Sequence, residues 1–274
     1  MQTGIVFDIQ YGALQNRFMK KYLTILFLFT SFISNAQRTM FSGQNKYVAP
    51  AEVFDAPAIV TNGLQLNLDA SISASYSGSG NTWRDLSGNN NHATLLNGPT
   101  YDAASGSIVT NGTNQYVSVP LFNNSITHVT MQTWVYINTN SSGVFIANGY
   151  SGGYSIGIGS NTGFDSAGSQ ATMLFSYIRW INNTGKTYPA GWHLITMVLD
   201  ENSTPSFYVD TAFQYSSTGR APATPSGSLT LGAIPGDGGR YYAGKFASAY
   251  FYNRVLSADE ITHNYNITKS RFGL

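Results

Sequence analysis

Cysteine is absent from this chain of 274 residues, which excludes a disulfide framework and a thiolate nucleophile together. Stability must come from burial, and a chain of this size can remove roughly 70% of its unfolded surface from water without covalent staples. Charge is scarce too. Only 10% of residues are Asp, Glu, Lys or Arg and the formal net charge is +1, against an average charged fraction of about 25%. With no basic or acidic run, nucleic acid and strongly anionic surfaces are poor partners, and uncharged ligands or protein surfaces are favoured. Glutamate occurs three times, as Glu52, Glu201 and Glu260, widely separated, whereas hydrolysis of a glycosidic bond needs two carboxyl groups about 5 to 10 Å apart. The four histidines, at 92, 128, 193 and 263, have no H-E-x-x-H spacing. Zinc hydrolase chemistry therefore has no visible carrier.

What is present begins with a leader pattern. Met19-Lys20-Lys21, the apolar run Tyr22 to Ile33 and then Ser34-Asn35-Ala36 have the three parts of a secretory signal peptide, with cleavage expected after Ala36. The run is too short for a permanent bilayer span, which takes about 20 residues. Residues 1–18 then read as sequence upstream of the start, 19–36 as the signal peptide, 37–60 as a tether and 61–274 as one folded domain, secreted or displayed at the cell surface. Removing residues 1–36 takes away Arg17, Lys20, Lys21 and Asp8 and leaves a formal charge of −1.

Beyond residue 60 the hydrophobic period is two, the mark of half-buried strands. Leu64, Leu66 and Leu68 share one face, and Val129, Met131, Thr133, Val135 and Ile137 oppose Gln132, Trp134 and Tyr136. Similar short runs lie at 116–119, 143–147, 154–158, 171–179, 192–199, 206–209, 228–231 and 246–252. Asn-Gly pairs at 62, 97, 111 and 148 and Gly-Gly pairs at 152 and 238 punctuate them with turn chemistry. About a dozen strands so spaced predict a two-sheet sandwich. One helix is expected, over Ala258 to Thr268, with Ser257 and Glu260 forming a capping box at its start.

The stretches GLQLNLD (63–69), TWRDLSGNNNHAT (82–94), WHLITMVLD (192–200), FYVD (207–210) and FYNRVLSADEITHNYN (251–266) together resemble a laminin G-like, concanavalin A-like jelly-roll domain. The resemblance covers nearly everything after residue 60. It implies an all-β, two-sheet antiparallel jelly-roll sandwich closed by one short C-terminal helix, and a carrier of binding sites more often than of active sites. The sandwich-fold glucanases of this superfamily place E-x-D-x-E on one strand, and that triplet is missing here.

Two sets of residues are candidates for chemistry. The loop Asp85 to His92 offers a carboxylate, amides and carbonyls, the hard oxygen donors that Ca²⁺ prefers. Similar loops in laminin G-like and pentraxin-like sandwiches often surround calcium, which implies Asp85, Asp69, Asn89 and Asn91 as ligands. Relatives with the metal often carry an acidic residue where this chain has Ala247-Ser248-Ala249. Read without a metal, Asp85 caps a turn and the Asn run tolerates left-handed backbone. The second set is aromatic. Trp83, Trp134 and Trp192 fit packing positions, whereas Trp180, beside Arg179 at the expected end of a strand, does not. Tyr150, Tyr154, Tyr241 and Tyr242 adjoin Gly-rich turns and could share a rim with it, as platforms for the apolar faces of sugar rings.

These readings converge on a non-catalytic recognition module for a glycan, calcium-assisted if the loop binds metal. The competitor is an adhesive or structural module that binds a surface protein, with a glycoside hydrolase disfavoured by the carboxylate count.

Overall fold

The computed structural model describes residues 58–120, 128–148, 154–159, 170–175, 179–201, 204–216, 228–234 and 239–274. The expected leader and nearly all of the tether lie outside the described residues. Sixteen strands are described. In chain order they are β1 (Leu64–Asp69), β2 (Thr82–Trp83), β3 (Ala93–Leu96), β4 (Thr100–Asp102), β5 (Ser107–Asn111), β6 (Tyr116–Val119), β7 (Val129–Ile137) and β8 (Gly143–Asn148), then β9 (Tyr154–Gly159), β10 (Gln170–Phe175), β11 (Arg179–Thr187), β12 (Gly191–Leu199), β13 (Pro205–Val209), β14 (Ala212–Ser216), β15 (Leu229–Leu231) and β16 (Ala243–Tyr252). The helix α1 (Ala258–Thr268) and a 3₁₀ turn (Lys269–Phe272) end the chain.

Two antiparallel sheets form the sandwich. The first runs β14-β13-β12-β7-β16-β5-β4, with β1 also paired to β16, and the second runs β11-β10-β9-β8-β15-β6-β3-β2. Strand β16 is long enough to serve two neighbours on one side: its start pairs β5, its end pairs β1, and its other edge pairs β7. Alternation then sorts the side chains. Leu66, Leu68, Met131, Val135, Ile195, Met197 and Phe251 from the first sheet meet Leu95, Val117, Val119, Ile146, Ile156, Leu229 and Leu231 from the second in one core. Each such fully buried side chain contributes about 1.5–3 kcal/mol relative to an exposed one.

The outer face of the first sheet is covered by the C-terminus. Ser257 accepts from the Glu260 amide while the Glu260 carboxylate accepts from the Ser257 amide, so the expected capping box starts α1. Asn264, fully buried on the helix, donates to Gln132 Oε1 (2.7 Å) and Tyr252 Oη (2.9 Å) and accepts from the Val60 amide (2.8 Å). Gln132 passes the network on to Thr196 Oγ1 at 3.0 Å. Beyond the helix, Phe272 packs at 4.4 Å from Trp134 and 4.5 Å from Trp192, ring centroid to ring centroid. A register shift between Phe246 and Ser248 releases Ala247 to the same outer cluster as Trp134 and Leu194.

The sequence reading treats 171–179 as one strand that ends at Arg179. The fold corrects this: β10 ends at Phe175, and Arg179 opens β11, which runs through the polar stretch to Thr187. Among the described residues β11 is an edge strand of the second sheet, and edge strands often carry polar and charged residues that guard them against further pairing. Short strands β2 to β5 and the edge strand β14 also escaped the periodicity, being too brief or too polar to show it.

Candidate functional site

The second sheet presents its outward face on the side away from the core. Register places Thr82 opposite Thr94, Thr94 opposite Ser118, and Ser118 opposite Thr230, so four hydroxyl side chains stand in one cross-strand row. Their neighbours Trp83, Ala93, Leu95, Val117, Val119, Leu229 and Leu231 all enter the core, which fixes the hydroxyls on the opposite face. Exposure falls along the row. Thr82 and Thr94 are exposed, Ser118 is half-buried and Thr230 is buried. Thr230 Oγ1 is taken up by Ala233 O at 2.6 Å. Among the described residues no hydrogen bond engages the hydroxyls of Thr82, Thr94 or Ser118, which leaves them to water or a ligand.

Beside this row stands a tyrosine pair. Tyr116, two residues from Ser118 on β6, and Tyr241, from the segment before β16, have ring centroids 6.2 Å apart at an interplanar angle of 49°. Both are half-buried, and partial desolvation, with Tyr241 adding to it, raises the Tyr116 phenol above its ordinary range. Leu96 lies opposite Tyr116 and extends the apolar strip. Gly239 sets the Tyr241 ring. Its φ is +82°, and a Cβ built there would lie 2.0 Å from Tyr241 Cε2, so any larger residue would displace the ring. Tyr241 is further fixed by the backbone around it: the Val144 amide donates to Arg240 O at 3.0 Å and the Tyr242 amide to Gly232 O at 2.9 Å.

Of the residues expected to bind ligand, Tyr241 reaches this face and Tyr150 lies outside the described residues. Trp180 stands in β11 opposite Leu174, Leu174 opposite Ser155, Ser155 opposite Ala147, and Ala147 opposite Thr230. Backbone register thus sets Trp180 at the far end of the hydroxyl row, four strands from Thr230. Arg179 and Tyr154 fall in the adjacent row instead: Arg179 pairs Phe175, Phe175 pairs Tyr154, Tyr154 pairs Asn148, and Asn148 pairs Leu229 of the core. Alternation separates that row from Trp180. Tyr242, expected at a rim, is fully buried; its hydroxyl donates to Tyr136 O (2.9 Å) and accepts from the Asn138 amide (2.7 Å), and burial pushes its pKa up. Thr82, Thr94, Ser118 and Tyr116 were missed by the sequence reading. The run 116–119 was read as a strand, but only its pairing with β3 shows what stands beside it, and β2 and β3 are too short to show a period of their own.

The loop expected to hold calcium is knitted to β1. Asp85 Oδ1 accepts from the Asn67 amide (2.9 Å) and the Ser87 amide (2.9 Å), and Oδ2 accepts from Ser87 Oγ (2.7 Å) and the Asn91 amide (3.0 Å). Four donors use its lone pairs in full. The side-chain Nδ2 groups of Asn89 and Asn91 donate to Gln65 O at 3.3 and 2.8 Å. Asp69 is engaged elsewhere: Arg271 donates to both its oxygens, at 2.8 and 2.7 Å, and Ser71 adds a backbone and a hydroxyl donor. The two carboxylates belong to separate networks, and as placed these four residues do not fit a Ca²⁺ ion. Among the described residues no three His, Cys, Asp or Glu side chains gather in a metal-holding group.

His193 and Asp210 form a further polar pair, Nδ1 to Oδ2 at 3.0 Å. Asp210 has a φ of +57° in the turn between β13 and β14, and its other oxygen accepts from the Leu194 amide at 3.1 Å. That geometry ties the hairpin to β12 and accounts for the WHL and FYVD stretches as structure.

Comparison with known proteins gives the same architecture. No curated protein matches the chain in sequence. Among solved structures, a mutant of Trypanosoma rangeli sialidase displaying trans-sialidase activity superposes with a TM-score of 0.59 at 16% identity, over 79% of this chain and 35% of that one. The binding domain of botulinum neurotoxin DC, solved in complex with rat synaptotagmin II, gives 0.54 at 14% identity, over 76% and 52%. The chain thus spans about a third of the sialidase and about half of the toxin chain, and at such identities the likeness is one of fold. A laminin G-like family model, described as the concanavalin A-like lectin/glucanases superfamily, matches residues 111–262. That match takes in more than half of the chain, from the end of β5 into α1, and the chain belongs to the concanavalin A-like lectin/glucanases superfamily.

Proposed function

We infer that this domain is a non-catalytic recognition module whose ligand is a glycan, bound on the outward face of the second sheet. The carrying observation is the half-buried Tyr116–Tyr241 pair beside the free hydroxyls of Thr82, Thr94 and Ser118. Sugars present alternating apolar ring faces and hydroxyl edges, and a strip of aromatic rings next to a row of hydroxyls complements both. Membership in a superfamily that carries carbohydrate- and protein-binding modules is consistent with this reading.

The state of four of the described carboxylates supports a binding rather than a cleaving role. Asp69 pairs with Arg271, Asp102 with Lys245 and Glu260 with Arg254, and Asp85 is spent on backbone and hydroxyl donors. A general acid needs a raised pKa, whereas cationic partners and hydrogen bonds hold Asp102 and Glu260 down at about 2.

The test is a glycan array followed by calorimetry on the hits. Gly239→Ala, which forces the Tyr241 ring off its place, and Tyr116→Ala should each weaken binding about tenfold, the worth of one stacked ring. Full affinity in both variants, or binding to a surface protein with no glycan on the array, would move the function to the adhesive class.

A further inference from the structure

The hydroxyl row has a regularity that a general sugar site does not require. Thr82, Thr94 and Ser118 come from three successive strands in direct register, and neighbouring strands lie about 4.8 Å apart. The three teeth of this comb are therefore evenly spaced and span roughly 10 Å. The comb ends at β15, where Thr230 gives its hydroxyl to Ala233 O. At the other end it is open, because β2 is the edge strand of its sheet among the described residues and Thr82 is exposed. A ligand that uses all three teeth must repeat its own hydrogen-bonding groups at a similar interval along a line perpendicular to the strands.

We propose that the ligand is an extended, uncharged polysaccharide lying across β2, β3 and β6, with successive sugar residues read by Thr82, Thr94 and Ser118 and one ring held against Tyr116 and Tyr241. The proposal rests on the glycan reading above and narrows it. One sugar residue in an extended polysaccharide advances the chain by close to one strand spacing, so three teeth count three residues. A lone monosaccharide would reach one or two of them. Charge decides the chemical class. The comb and the tyrosine pair carry no formal charge, so an acidic chain would surrender carboxylate hydration at the face without a cation in the comb to offset it. Threonine suits the task because its χ1 is restricted even when unbound, and each hydroxyl is both donor and acceptor, so little order remains to be imposed on binding.

Calorimetry of the domain with oligosaccharides of one to six residues from neutral glucan, xylan and mannan, and with polygalacturonate as the acidic comparison, tests this. For the glycan that binds, affinity should rise steeply from one to about four residues and then level off, with little dependence on salt. Thr94→Val removes the middle tooth while keeping shape and β-branching at an exposed strand position. It should weaken a hexasaccharide roughly fivefold to tenfold, the worth of one neutral hydrogen bond, and leave thermal stability unchanged. An affinity that is the same for monosaccharide and hexasaccharide, a preference for polygalacturonate that salt abolishes, or an unaltered Thr94→Val variant would overturn the proposal and leave glycan recognition standing. No binding to any glycan would overturn both.

Discussion

Replacing Asn264 by alanine tests the account of how the C-terminal helix is fixed to the sandwich. Asn264 makes three bonds from a fully buried position: to Gln132 Oε1, to Tyr252 Oη and from the Val60 amide. Alanine would strand the Gln132 carbonyl, itself fully buried, at a cost of about 1–3 kcal/mol. The half-buried Val60 amide adds about 1 kcal/mol, while the Tyr252 hydroxyl loses only an acceptor role. The loss should total about 3 kcal/mol, a large part of the roughly 5–15 kcal/mol by which folded domains are stable. In a domain of this size it should lower Tm by roughly 6–12 °C. Urea denaturation followed by tryptophan fluorescence measures it directly, since Trp134 and Trp192 lie under the same C-terminal segment. A paired control is the double variant Asn264→Leu with Gln132→Leu, where removing both ends of the bond should cost less than the sum of the single variants. A single-variant loss below about 1 kcal/mol, or strict additivity of the pair, would refute the claim that this network holds the helix.

Glu260 gives the acid-side behaviour. Its hydrogen bonds from Arg254 lower the folded pKa from 4.5 to about 2, so its contribution is present above the unfolded pKa and is lost as pH falls from 4.5 to about 2. Glu260→Gln should flatten the stability–pH curve in that window, by about 1 kcal/mol once solvent screening of this partly exposed pair is allowed for; a parallel curve for the two proteins would contradict the assignment. For calcium, thermal melts at millimolar Ca²⁺ and with a chelator should coincide, because a metal bound only by the native state would raise Tm by mass action. A rise of several degrees would mean that Asp85 exchanges its amide donors for the ion.

The legibility of this fold was uneven for a physical reason. Val129–Ile137 and Gly191–Leu199 are nine residues long, cross the middle of the first sheet and are buried along most of their length, so each shows in the sequence as a long, mostly apolar run. The capping box at Ser257 and Glu260 is a local motif and could be read for the same reason: everything it needs lies within four residues. The candidate site had neither advantage. Its hydroxyls come from strands of two and four residues, 12 and 24 positions apart in sequence, and only register brings Thr82, Thr94 and Ser118 into line. Its tyrosines meet across 125 positions, with Tyr241 fixed by the approach of Gly239. Aromatic composition made sugar stacking a reasonable expectation, yet it could not separate Tyr241, which faces outward, from Tyr242, whose ring enters the core one residue later. Nor could it place Trp180 and Arg179, neighbours in sequence whose backbone register leads across the sheet to Thr230 for one and to Leu229 for the other. Asp85 shows the same limit from the polar side. The sequence offers its oxygen equally to a cation or to amides, and the choice is made by β1, whose Asn67 amide arrives at 2.9 Å. A recognition face assembled from short strands is thus a property of strand pairing, and substitutions that preserve each strand's own pattern but shift β3 by one residue against β6 should abolish it while leaving the core sequence intact.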